Sequence, residues 1–298
     1  MGHGSFLRLS VLAAMLAASA LTPVAGARAE GVVPPASQSA PADARAAILH
    51  LSEVMQMGGV VEVMRAEGMD YGTLLRDEMF PGKGGSEWAA TVALTYDPAR
   101  MRAEFEDKLV AELLASPETV QAGLAFFGDA RGQKILSLEL EARRALMDDA
   151  AEAAAKAAVA DMEAEGSPRL DALRRFAAAN DLVEMNVMGA LNANLAFYKG
   201  LSSGGAFGSA MTEEDMLADV WGQEADVRAE TEEWLWSYLS LAYQPLSDEE
   251  LQAYHDFSET PEGQKLNAAV FAAFDVSFVR ISEDLGRAAA RAMQGEDI

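Results

Sequence analysis

The chain has 298 residues and sets 47 acidic side chains against 23 lysines and arginines, a formal charge of −24. A surface that acidic repels nucleic-acid phosphates and anionic lipid, so nucleic acid is excluded as an expected partner, whereas cationic peptides and basic protein faces stay compatible. There is no cysteine, so disulfides and a lipid-modified N-terminal cysteine are excluded, and stability must come from burial alone.

Residues 1–29 have the pattern of a cleavable secretory signal. Arg8 precedes an apolar run, Leu9 to Leu21, and small residues follow at Ala25-Gly26-Ala27 and Ala27-Arg28-Ala29. The run is shorter than the roughly 20 residues needed to cross a bilayer, and no later stretch suits one, so no membrane span is expected once the signal is removed. This reading sends the protein out of the cytoplasm, to the periplasm. Residues 30–44 hold Pro34-Pro35, Ser37, Ser39 and Pro41 with little to bury, and read as a flexible leader.

From Arg45 onward helical spacing prevails. Ile48, Leu51, Met55, Val60, Val63 and Met64 mark a helix ending near Gly68, and a shorter one is expected from Tyr71 to Met79. A Gly-rich break, Pro81 to Ser86, follows; Trp88 to Tyr96 fits either helix or strand, and Pro98 to Leu114 is helical. Ser116-Pro117-Glu118 starts a helix of about three turns, and Asp129 caps another whose pattern runs on to Glu165. An unbroken helix of that span would be roughly 50 Å long, so a bend is expected near Asp148-Asp149. Gly166-Ser167-Pro168 ends it.

The second half repeats the plan. Helical patterns fill Leu170 to Lys199, a Gly-rich stretch surrounds Gly204, Thr212 to Asp215 caps the next helix, and Trp234 to Leu239 carries much of the aromatic mass. Ser247-Asp248-Glu249-Glu250 is a full capping box. Thr260-Pro261 starts a last helix with Leu266, Val270, Phe274, Phe278, Ile281 and Leu285 on one stripe. Aligning Ser116–Lys134 with Ser247–Lys265 gives eight identities in nineteen positions, where chance gives about one. The reading is therefore all-α, two tandem helical modules at residues 45–166 and 167–298, each containing a helical hairpin, related by internal duplication.

The segment Ser247-Asp248-Glu249-Glu250-Leu251, then Phe257, then Thr260-Pro261-Glu262-Gly263-Gln264-Lys265-Leu266 resembles the signature of the exported bacterial proteins grouped as domain of unknown function family 2059. The first copy departs from the pattern at Ala130-Arg131, where the family has proline and an acid. The resemblance implies an exported helical protein and no catalytic residue.

Gly132 and Gly263 recur inside helix starts, where glycine costs about 1 kcal/mol against alanine. Close approach of another backbone accounts for this; an anion held at the helix start is the sharper alternative. Lys134 and Lys265 recur too, although the chain has few lysines, and a cation in the second helical turn gains nothing from the helix dipole. Each either forms an ion pair or bonds the carbonyls ending the adjacent short helix, or else forms half an anion pocket with Gln133 or Gln264. Gln133, Lys134, Gln264 and Lys265 are thus the candidate binding residues. No catalytic set, cofactor motif or metal site emerges: the chain has three histidines, His3, His50 and His255, in unrelated contexts and without cysteine. Acid runs such as Asp148-Asp149 read as solvated faces and caps. The methionines Met55, Met57, Met64, Met69, Met79, Met185 and Met188 either fill core gaps or line an adaptable groove.

Three functions fit: a non-enzymatic periplasmic protein binding a protein, cationic peptide or envelope component between its modules; a hydrolase or lyase working through paired carboxylates in that cleft; or a structural module associating with itself, as in a homodimer.

Overall fold

The computed structural model describes residues 39–207 and 211–295; the expected signal, residues 1–29, and the first part of the expected leader lie outside the described residues. Thirteen helices and no strand occur among the described residues. In the first half these are α1 (Ser39–Val54), α2 (Met57–Met79), α3 (Gly85–Thr95), α4 (Pro98–Leu113), α5 (Pro117–Phe127), α6 (Ala130–Ala145) and α7 (Asp149–Ala164). In the second they are α8 (Pro168–Ala179), α9 (Leu182–Ser203), α10 (Glu213–Gly222), α11 (Glu224–Tyr243), α12 (Asp248–Ser258) and α13 (Pro261–Gln294). None is long and apolar enough to cross a membrane.

Local chemistry explains most boundaries. Asp129 and Thr260 accept hydrogen bonds from Gly132 N and Gly263 N at 2.7 and 3.0 Å, and Ser247 with Glu250 forms the reciprocal capping box. The expected bend near Asp148 is a full break, because Asp148 turns from the helix path to cap Ala150 N and Ala151 N, each at 3.0 Å. Ser116, by contrast, makes no side-chain cap.

Two expectations need correction. Residues 39–44, expected to belong to a flexible leader, are already part of α1, which begins at Ser39. Of the two conformations open to Trp88–Tyr96 the structure has helix, α3, which ends at Thr95 with Tyr96 as its C-cap. The helix expected to stop near Gly68 runs on to Met79, and the break lies earlier, at left-handed Gln56 (φ 57°). Gly68 does not end a helix; it admits the Tyr96 ring, atoms of which would sit 2.5 Å from a Cβ there.

The two halves share one core. The stripe from Leu266 to Leu285 on α13 is buried throughout, and it lies against α9 of its own half and against α4 and α5 of the other. In return α6 and α7 lie against α11. Each half thus sends its last helix or helices across to the other, as Phe105 of α4 against Phe274 of α13 illustrates, with ring centroids 4.7 Å apart. At the hairpin tips, Phe126 and Phe257, equivalent positions of the repeated motif, stack at 4.2 Å with planes 8° apart. The non-glycine residues with left-handed backbone among those described, Gln56 and Asp181, stand at the same place in the helix order, between α1 and α2 and between α8 and α9. The methionines are mostly core: Met55, Met57 and Met64 are buried, Met69, Met79 and Met185 pack at its edge, and Met188 is exposed. They therefore do not form the adaptable groove.

Candidate functional site

The glycines of the repeated motif sit where backbones touch. A Cβ on Gly132 would overlap the carbonyl of Phe126, and one on Gly263 that of Phe257, so each glycine lets the outgoing helix start against the end of the incoming one. Gln133 is consumed by this joint: its Nε2 donates to Val54 O at 2.8 Å and Phe127 O at 2.6 Å, and its Oε1 accepts from Gln56 at 3.0 Å. Lys134 donates to both carboxylate oxygens of Glu250, at 2.9 and 2.7 Å, tying the first hairpin to the capping box of the second. That bond, then the bond from Ser247 N, holds the Glu250 carboxyl below its ordinary range. Position 119, equivalent to Glu250, is Thr119, which offers no charge; accordingly Lys265 is exposed and has no ion pair among the described residues. Gln264 is engaged in the structure as well. The four recurrent residues are therefore not brought together as an anion pocket. Lys134→Met is expected to lower the thermal midpoint and Lys265→Met to leave it unchanged, as paired thermal melts would record.

An open cleft of about 370 Å³ lies instead between α2, the α6–α7 break and α11. Residues 67, 70, 71 and 74 form one face of α2, at the i, i+3, i+4, i+7 spacing that aligns side chains along a helix. Across from them stand Asp149, Glu152 and Lys156 of α7 and Glu230, Glu233 and Trp234 of α11. Six carboxylates meet two cations on this lining. Asp70 and Asp149 are exposed and carry no ion pair among the described residues. Apolar surface is interleaved: Leu74 and Met147 are exposed, at 47% and 37%, and Trp234 stacks on Tyr238 at 5.0 Å.

The cations fasten the walls together. Arg143 reaches across to Glu67 with two bonds of 2.8 Å, both side chains being about nine-tenths buried. Burial pulls the Arg143 guanidinium down, but attraction and hydrogen bonding to Glu67 leave it raised on balance. Lys156 bridges Glu152 at 3.0 Å and Glu233 at 2.8 Å, spanning α7 to α11. Ion pairs thus tie α2 to α6 and α7 to α11 around the cleft.

Behind the cleft, one turn before Arg143, lies Glu139, buried at 7% exposure. Tyr243 Oη donates to its carboxylate at 2.7 Å, and Tyr238 Oη to its backbone carbonyl at 3.2 Å. The Tyr254 hydroxyl faces the same carboxyl without a hydrogen bond of good geometry. Burial pushes the Glu139 carboxyl up to about 7, against the opposing pull of the tyrosine hydroxyls. The folded protein therefore keeps a proton that the unfolded chain gives up near pH 4.5. Stability from this group is full below that pH and falls as pH rises toward 7, by roughly 3 kcal/mol. Glu139→Gln keeps an acceptor for Tyr243 and cannot ionise, so denaturant unfolding at pH 5 and pH 8 is expected to show it more stable than the parent at the higher pH only. Glu139 does not line the cleft.

Of the cleft acids, Asp149 alone stands out in the sequence, as part of a solvated face or cap; Glu67, Asp70, Glu152, Glu230 and Glu233 have no role assigned there. The signal that could have singled them out is the α2 face, where Glu67 and Asp70 share a stripe with Tyr71 and Leu74 that is neither wholly apolar nor wholly polar. His255, Asp256 and Glu259 at the end of α12 present possible ligand atoms within 4.8 Å of one another, although His255 already faces Glu259 at 3.5 Å. No protein-family model, curated protein or solved structure significantly matches the chain.

Proposed function

We propose that this is an exported, non-enzymatic helical protein of the periplasm, akin to domain of unknown function family 2059, that holds basic segments of a partner protein or peptide in the cleft between α2, α7 and α11. The observation that carries this reading is the lining: six carboxylates against two cations, interleaved with Leu74, Met147 and Trp234. Lysine and arginine side chains combine an apolar stem with a charged head, so they match such a surface along their whole length. The cations within the cleft are already committed to Glu67, Glu152 and Glu233, which leaves Asp70 and Asp149 to meet an incoming charge. The strongly acidic chain draws cations toward the cleft and repels anions.

The order of helices, the recurring left-handed residue after α1 and α8, and the stacking of Phe126 on Phe257 support an origin by internal duplication. In that reading the cleft arises where the halves diverged, since α6 breaks at Asp148 and α13 runs on unbroken.

Titration with a lysine-rich peptide, followed through the fluorescence of Trp234, tests the function. Binding is expected at low ionic strength, weakening about tenfold as salt rises to physiological levels and the Debye length shrinks to roughly 8 Å. An aspartate-rich peptide should not bind. Absence of binding at low salt, or binding indifferent to salt, would remove the proposal.

A further inference from the structure

Trp234 gives the acidic cleft a feature that charge alone does not account for. Its indole is half-buried and lines the cleft, and it lies nearly parallel to the Tyr238 ring, with centroids 5.0 Å apart and planes 14° from each other. Tyr238 is buried, and its hydroxyl donates to Glu139 O at 3.2 Å, so it backs the indole from within. One ring face is thus covered, and the face left for a cation is the opposite one.

Two residues along α11, the chain shows what such a surface holds. The Arg174 guanidinium of α8 lies over the Trp236 ring, 5.9 Å from its centroid, while its Nη2 pairs with Glu163 of α7. A tryptophan of α11 and an acid of α7 therefore share one arginine. On the cleft side the same two helices present Trp234 and, from α7, Asp149 and Glu152. The arginine of the cleft lining, Arg143, is committed to Glu67 of α2, and Lys156 bridges Glu152 and Glu233. Asp149, like Asp70 of α2, is left exposed and without an ion pair among the described residues. The ring and the acid are in place, and the cation between them is not supplied by the chain.

We infer that the cleft selects arginine over lysine, the partner's guanidinium stacking on Trp234 and pairing with Asp149 or Asp70. This rests on the cleft reading proposed above and narrows its ligand. Six carboxylates against two cations attract either side chain, so charge by itself does not choose between them. The ring does. A guanidinium is planar and weakly hydrated, so it lies flat on an indole while its in-plane N–H groups still reach a carboxylate in paired fashion. An ammonium is compact and strongly hydrated, and must give up more water to make the same contact.

Two peptides of equal length and charge, one with arginine and one with lysine at every basic position, are the probes, measured by calorimetry on the full chain at one salt concentration. The arginine peptide is expected to bind the parent about fivefold more tightly or better. In Trp234→Leu the ratio of the two affinities should fall to within about twofold of one, and in Trp234→Phe, which keeps a ring, it should stay above that. Thermal melts show whether each variant is folded. A measurement on the parent is independent of that: its Trp234 indole N–H resonance, assigned by its absence from Trp234→Phe, should shift more with the arginine peptide than with the lysine peptide. Equal affinities in the parent, an undiminished preference in folded Trp234→Leu, or an indole resonance that answers both peptides alike would overturn the inference while leaving the cleft reading in place. Binding of neither peptide would remove the cleft reading and this inference with it.

Discussion

Gly286→Ala is expected to destabilise the fold by about 3 kcal/mol, the upper part of the range for overpacking, and to lower the thermal midpoint by roughly 5–10 °C. Helix propensity alone predicts the opposite sign, since alanine is better than glycine in a helix by about 1 kcal/mol. The difference lies in the crossing of α9 and α13. A Cβ on Gly286 would overlap the carbonyl of Phe197, and one on Gly200 would overlap the carbonyl of Glu283. Two backbones, neither able to swing aside as a side chain could, meet through these glycines. Gly189 on the same helix α9 has nothing within 4 Å of its missing Cβ, so Gly189→Ala should be neutral or stabilising. Urea unfolding of the two variants beside the parent checks the contrast.

Arg143→Ala is expected to cost about 3–5 kcal/mol, because it strands the buried Glu67 carboxylate without its partner. Glu67→Ala should cost a similar amount by stranding the guanidinium. Burying a charge pair recovers little beyond its own desolvation, so the double change Glu67→Leu/Arg143→Met should be markedly more stable than either single alanine variant. A double variant no better than the worse single one would mean that the pair contributes attraction well above its desolvation cost. The position matters for the site as well, because these side chains join α2 to α6 at the edge of the acidic cleft.

What could be read from the sequence was what local chemistry decides. Asp129, Thr260, Thr212 and Ser247 act on backbone groups within three residues, and all four cap as their positions suggest. The α13 stripe from Leu266 to Leu285 was legible because burial of one helix face has a local period. What failed depended on distant partners. Gly68 looked like an end because nothing nearby reveals that Tyr96, the residue after a later helix, fills the space beside it. The crossing of the last helices between halves is invisible for the same reason: a stripe says that a helix is buried and not against what. Lys134 and Lys265 looked equivalent; the alignment already sets Thr119 against Glu250, but only the structure shows that Lys134 reaches Glu250, which is what makes that difference matter. The cleft acids resemble any solvated face until three helices from different parts of the chain set them opposite one another.

The acidic cleft is the central claim, and charge reversal tests it most directly. Asp70→Lys/Asp149→Lys changes two exposed lining acids, while Glu62→Lys/Glu141→Lys makes the same change in net charge at exposed positions of α2 and α6 that do not line the cleft. The affinity of a lysine-rich peptide for each double variant should be measured at one fixed salt concentration. The account predicts a loss of about tenfold or more in the cleft variant, where the reversed charges lie within contact range, and about twofold at most in the other. Equal losses in the two variants, or none in the cleft variant, would contradict it.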